Sequence, residues 1–367
     1  MKISKLVKAH KHSGCCCQII PPHMVDEMIK CSDKKISDAA IENKAAAEKA
    51  RAARATLAFV RPAMEAHRAM LGPLGASKKK NRIIHDAKLR PNLDGKVVRR
   101  EGDKNTGDKE VDEAYRFSGY VHDFYKKFFG RNSIDDHGLA LKSSVRYRED
   151  QSSPYNNAFW WNNQMAYGDG DGKVFKRFTS SLDVIAHELT HGVVEYTANL
   201  QYKDESGALN ESYADVFGSL VKQWRKKQTA SKADWLIGDD LIFKTATRTA
   251  LRSLKAPGTA YSKDPFLGSD PQPADVKNQY KGSQDNGGVH INSGIPNQVF
   301  YLVAVAIGGN AWEKAGRIWY NSLAHLTSTS NFQDCAIATE FAATKLYGSG
   351  SNEVKAVIKA WKAVGVT

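Results

Sequence analysis

The stretch Leu182-Asp-Val-Ile-Ala-His187-Glu188-Leu-Thr-His191-Gly-Val-Val194 constrains this chain more than any other. Its apolar residues recur at helical spacing, and on a helix His187 and His191 project from one face, one turn apart. Zn²⁺ takes imidazole and thiolate ligands, and a catalytic site keeps one position open for water. Glu188 is placed to take that water's proton. The same spacing arises by chance on plain surface helices, so a third ligand is needed. Gly207-Ala-Leu-Asn-Glu211-Ser-Tyr-Ala-Asp215 predicts the start of a second helix, with Glu211 near its N-terminus. The intervening loop is long enough to lay that helix beside the first. Asp215, one turn on from Glu211, can then accept a ligand histidine's other N–H and fix its tautomer.

The chain predicts an α+β protein with a strand-rich lobe before a helical one. Arg82–Asp86, Lys96–Arg100 and Ser144–Arg148 are the predicted strands, and a helix is expected over 112–129. Further helices are predicted over 182–198, 208–228, 296–308, 310–328, 331–347 and 352–364. Before residue 82 the pattern differs. Residues 1–14 look frayed, Gln18–Val25 is a short apolar patch that Pro21 and Pro22 keep extended, and Ile36–Ala55 is rich in helix formers, with the pattern resuming after Pro62. Gly72–Lys80 then reads as an exposed linker. The expected units are 1–80, a strand-rich lobe over 81–222 that includes the HExxH helix, and a helical lobe over 223–367.

Charge separates the same parts. The formal net charge is +13, yet residues 1–82 carry 17 Lys and Arg against 7 Asp and Glu, or +10, leaving +3 for the rest. The main body is therefore not expected to bind nucleic acid. The longest apolar run, Val299–Gly308, is about half the ~20 residues of a spanning helix, so no membrane span is expected. Four of the five cysteines, Cys15, Cys16, Cys17 and Cys31, precede the body, which keeps only Cys335, so no disulfide framework holds it. With no signal-like apolar stretch near Met1, cytoplasmic synthesis with non-classical secretion as the possible exit is the expectation.

Taken together, Tyr155-Asn-Asn-Ala-Phe-Trp160, Tyr167-Gly-Asp-Gly-Asp-Gly172, Asp183–His191, Gly207–Asp215 and Gln284-Asp-Asn-Gly-Gly-Val-His290-Ile-Asn-Ser-Gly294 resemble the thermolysin family of metallopeptidases over most of residues 83–367. Ile19-Ile-Pro-Pro-His-Met24 is similar to the short propeptide of the family's protealysin-like branch. The resemblance implies a two-lobed fold with the HExxH helix between the lobes, and a monomeric zinc endopeptidase made as a proenzyme. It implies His187, His191 and Glu211 as zinc ligands and Glu188 as general base. His290 and Tyr202 would bind the tetrahedral oxyanion, with Asp285 orienting His290 and Asp215 orienting His187. Asn157, the backbone of Ala158, and Arg252 would hold a peptide or protein substrate. Phe175, Phe178, Val184, Ile237 and Leu251 would line the pocket after the scissile bond, which predicts cleavage before bulky apolar residues. The propeptide, packed through Pro21-Pro22, is expected to inhibit until the linker is cut.

The chain departs from the family at its paired calcium site. Asp183, Asp234 and Asp239 stand at matching places, but Lys222 and Leu236 replace acids. Ca²⁺ wants six to eight oxygens, so the Lys222 ammonium is expected to stand in for calcium. Two rival classes are weighed against the peptidase: an inactive zinc-binding pseudoenzyme on the same fold, which intact Glu188 and His290 disfavour, and a basic nucleic-acid-binding protein, which the small charge of the body disfavours.

Overall fold

The computed structural model describes residues 17–45, 79–149 and 153–367. The expected linker up to residue 78, the tail before residue 17 and the helical pattern beyond residue 45 lie outside them. A mixed sheet forms from β1 (Cys17–Gln18), β2 (Arg82–Arg90), β3 (Lys96–Arg100), β4 (Leu141–Tyr147), β5 (Ala158–Trp161) and β6 (Gln164–Tyr167). The strand order is β1-β5-β6-β4-β2-β3. β4 runs parallel to both β2 and β6, and the other pairings are antiparallel. The body contributes five strands. β1 covers the edge that β5 would otherwise leave open, with Cys17 opposite Trp160 and Gln18 opposite Phe159.

Before the body, α1 (Pro22–Lys30) and a helix over 34–45, here α2, lie on either side of a short turn. The sequence pattern reads Gln18–Val25 as extended, but the extended part ends at Pro21. Pro22 takes the first helical position, where a missing N–H costs nothing. Met24 and Met28 of α1 join Ile19 and Ile20 in the same apolar core as the body.

Within the body, α3 (Lys109–Phe129) lies across the sheet and starts where Asp108 caps the amides of Glu110 and Val111. α4 (Leu182–Glu195) and α5 (Asp204–Lys226) pack along each other at the join of sheet and helices. α4 is buried from Asp183 to Val194. That explains its near-continuous apolar character and its two histidines without solvent. Gly218 of α5 lets the two helices close up, because a Cβ there would stand 2.7 Å from the carbonyl oxygen of Asp183. The strand pair β7 (Leu236–Ile237) and β8 (Arg252–Ser253) follows. Then come α6 (Gln284–Asn292), α7 (Gly294–Ile307), α8 (Ala315–Ser322), α9 (Phe332–Tyr347) and α10 (Asn352–Ala363). The helix expected over 310–328 is shorter: a turn takes 311–314 and a 3₁₀ turn follows at Leu323–His325. No described helix is long and apolar enough to cross a membrane.

Candidate active site

Three side chains meet where α4 and α5 touch. His187, His191 and Glu211 bring one ligand atom each to within 4.8 Å of one another, and all three are buried. Their outer hydrogen bonds determine what the inner atoms are. His187 Nδ1 lies 2.8 Å from Asp215 Oδ1, and His191 Nδ1 lies 2.8 Å from Asn210 Oδ1. Against acceptors, both Nδ1 atoms carry the proton, which leaves each Nε2 turned inward as the atom that can offer its lone pair to a metal. These two Nε2 atoms stand 3.0 Å apart. Glu211 approaches them at 3.4 and 3.5 Å, and its Oε2 has no hydrogen-bond donor. Lone pairs and a carboxylate converging in a dry pocket repel one another unless a cation lies between them. Tetrahedral zinc with bonds of ~2.0 Å sets its ligand atoms ~3.3 Å apart. The residues fit zinc.

Burial pushes His191 down to about 3, so it stays neutral and ligating. Asp215 is buried as well, yet Arg252 and His187 hold its carboxyl down at about 2. It is an ionised acceptor for His187, and Asn297 also donates to it at 2.9 Å.

Glu188 is fully buried one residue from the first ligand, and Trp160 of β5 donates its backbone N–H to Glu188 Oε2 at 3.1 Å. The bond joins the sheet edge to the base. On the opposite side, His290 faces acceptors with both ring nitrogens: Asp285 Oδ1 at 2.7 Å and the carbonyl oxygen of Gln18 at 2.9 Å. Only the imidazolium donates to both. Burial opposes that charge, but the Asp285 and Glu211 carboxylates outweigh it and raise the His290 pKa. The Tyr202 hydroxyl donates to Glu211 Oε1 and lies 3.1 Å from His290 Nε2.

The main chain of residues 18–20 runs through this site. Besides Gln18 O on His290, the amide of Ile19 reaches the carbonyl of Ala158 at 3.4 Å. Arg252 Nη1 donates to Ile19 O at 3.1 Å, while the rest of its guanidinium grips Asp215 at 2.8 and 2.9 Å. Asn157 Oδ1 accepts from the amide of Ile20 at 3.1 Å, and its Nδ2 faces the carbonyl of Ile20 at 3.5 Å. Phe175, Phe178, Val184, Ile237 and Leu251 are all fully buried in the apolar cluster that includes Ile19.

His187, Glu188, His191, Tyr202, Glu211, Asp215, Arg252, Asp285, His290, Asn157 and Ala158 therefore come together at one place, while the five apolar residues predicted for the pocket lie in the core cluster that includes Ile19. Three partners have no signal in the sequence. Asn210 is merely the residue before Glu211, Asn297 stands 82 positions from Asp215, and the Trp160 amide is a backbone group in a strand too short to show alternation.

At the far end of α4, Lys222 Nζ sits 3.0 Å from Asp183, 3.1 Å from Asp234 and 3.0 Å from Asp239, and it donates to the carbonyl oxygen of Leu236. Burial works against its charge, but the three carboxylates prevail and raise its pKa.

A family model described as thermolysin metallopeptidase, catalytic domain, matches residues 76–195, and one described as thermolysin metallopeptidase, alpha-helical domain, matches residues 198–366. This chain belongs to the thermolysin family of metallopeptidases. An "Extracellular metalloprotease" of Pectobacterium carotovorum subsp. carotovorum is 45% identical over 355 residues, covering 95% of this chain and 96% of the relative. "Protease PrtS" of Photorhabdus sp. (strain Az29) is 49% identical over 290 residues, covering 78% and 76%. A thermolysin of Alicyclobacillus acidocaldarius is 43% identical over 262 residues, 69% of this chain and 45% of that longer protein. Among solved structures, a precursor of protealysin, a metalloproteinase from Serratia proteamaculans, superposes with a TM-score of 0.83 at 44% identity, covering 96% of this chain and 100% of that one. The chain is a zinc-dependent endopeptidase of this family.

The relatives correct one expectation. Cysteine usage and the N-terminal pattern lead to the expectation of cytoplasmic synthesis with non-classical secretion as the possible exit, whereas the relative matched over nearly its whole length is named as extracellular, which points to secretion rather than cytoplasmic residence. A body that needs no disulfide folds in either compartment, so its thiol count does not measure destination.

Proposed function

We propose that this chain is the precursor of a zinc endopeptidase that cuts on the N-terminal side of bulky apolar residues and works outside the cell. One observation carries the specificity: residues 18–20 lie antiparallel along β5 with their peptide groups held by His290, Ala158, Arg252 and Asn157, beside the three-ligand set and Glu188. A substrate strand bound the same way has its scissile carbonyl at His290 and the side chain that follows, here Ile19, among the apolar residues of the site.

Bound zinc supplies a Lewis acid for the scissile carbonyl and lowers the pKa of water at the site to about 7. Glu188, fixed by the Trp160 amide, takes the attacking water's proton and passes it to the leaving amine. His290, kept cationic by Asp285, and Tyr202 donate to the oxyanion, a contribution worth ~3–4 kcal/mol per well-placed donor. Arg252 and Asn157 hold the peptide beyond the cut, and Asp215 orients both His187 and Arg252. The whole constellation lies in one chain, which supports a monomer. The working units are the prosegment over 1–80, the lobe over 81–222 and the lobe over 223–367.

In the precursor, the prosegment holds the substrate's place through Gln18–Ile20, and α1 anchors it. Cleavage in the Gly72–Lys80 linker frees the site. The Lys222 ammonium takes the role calcium plays elsewhere in the family. Hydrolysis of quenched peptides tests the proposal, using processed enzyme and substrates with Leu, Phe, Gly or Asp after the scissile bond. Chelator-sensitive cleavage before Leu and Phe is expected, and equal cleavage before Asp would contradict the assigned pocket.

A further inference from the structure

Away from the catalytic centre, where β2, β3 and α3 meet beside Lys80, a cavity of about 190 Å³ is lined by Lys80, Arg82, Arg99, Arg116, Asn105 and Tyr120, among others. Its cations are organised. The guanidiniums of Arg82 and Arg99 sandwich the Tyr115 ring at 3.6 and 3.7 Å from its centroid. Gly119 of α3 makes room for Arg82, since a Cβ there would stand 2.5 Å from Arg82 Nη1. A glycine inside a helix costs ~1 kcal/mol against alanine, so that close approach is bought with local stability.

The charges do not cancel. Lys80 pairs with Asp123, the one carboxylate that lines the cavity, Arg82 pairs with Glu101 and Arg99 with Asp112. Arg116 has no carboxylate partner among the described residues and only lies over the Phe117 ring. The wall thus carries one positive charge in excess. Arg99 is only 6% exposed and uses both Nη atoms, on Asp112, Asn105 and the carbonyl of Asp103, yet its buried Nε has no hydrogen-bond partner. A buried guanidinium N–H left unsatisfied is costly and rare.

We propose that this cavity binds a small free oxyanion of the phosphate class. Such an ion balances the excess charge, accepts from Arg99 and Arg116, and takes hydrogen bonds from Tyr120 and Asn105. About 30 Å³ per water leaves room for the ion with part of its hydration shell. With Lys80 in its wall, the occupied site fastens the first residues of the body to β2, β3 and α3.

Titration calorimetry of the full chain with inorganic phosphate, against chloride at matched ionic strength, tests this. One phosphate per chain is expected, together with a higher unfolding temperature in phosphate. Losing one charge-assisted donor costs about tenfold in affinity, so Arg116→Gln, an exposed change that leaves the core intact, should weaken binding by that factor, and Arg116→Lys should recover part of it. No binding, or binding that Arg116→Gln leaves unchanged, would overturn the assignment, as would a phosphate-soaked crystal with an empty cavity.

Discussion

Replacing Lys222 with Met removes a buried ammonium and leaves its neighbours in place. Asp183 and Asp239 are almost fully buried and Asp234 partly so, and all three lie within 3.1 Å of Nζ. Taking one partner from a buried ion cluster typically costs ~3–5 kcal/mol, because the charge left behind is uncompensated. At ~2–4 °C per kcal/mol for a unit of this size, the melting temperature should fall by about 6–20 °C. Calcium gives the second arm. Without the ammonium, the three carboxylates and the Leu236 carbonyl make an oxygen-lined site of the kind Ca²⁺ takes. Millimolar calcium should therefore restore part of the loss in Lys222→Met and leave the wild type unchanged. The assay is thermal unfolding of both proteins with calcium chloride and with a calcium-selective chelator. A variant that melts with the wild type, or a wild type that calcium stabilises as strongly as the variant, would refute the reasoning.

Further outcomes follow from the same geometry. Asp215→Ala removes the acceptor of His187 Nδ1, and zinc affinity should fall ~10–100-fold in competition with a chromogenic chelator. Ile19→Asp puts an unpaired carboxylate among buried apolar side chains, so the full-length precursor should show peptide hydrolysis that the unaltered precursor lacks. His23 sits on α1 with Tyr261 2.9 Å from its Nε2, and burial pushes it down to about 4. Docking of the prosegment is therefore fully favourable above the free histidine's 6.5 and weakens as pH falls toward 4. Retention of a nicked prosegment should drop by up to about 20-fold between pH 7 and pH 5, and His23→Gln should flatten that dependence.

The sequence made the catalytic core legible because metal chemistry restricts residue type and spacing together. His187, Glu188, His191, Glu211 and Asp215 could be read from two helical segments. Long helices with clear periodicity were also readable, among them α3, α9 and α10. β5 and β6 were not, since four-residue strands buried on both faces show no alternation. The approach to His290 was hidden for another reason: Asp285 and Asn286 take left-handed backbone angles within α6, so no helical period marks the turn. α1 was misread because a proline pair was taken to extend the chain, when the second proline starts a helix. How deeply residues 18–20 enter the site could not be seen either, because main-chain hydrogen bonds leave no residue-type signature.

In the proposed mechanism Glu188 acts as the base beside a zinc held by His187, His191 and Glu211. The most direct measurement is hydrolysis of a quenched Leu-containing peptide by processed, zinc-loaded wild type and Glu188→Gln, with zinc content determined for both. Equal zinc content is expected, with kcat lower in the variant by at least ~10²–10⁴-fold. A zinc-loaded Glu188→Gln enzyme that retains wild-type turnover would contradict that mechanism.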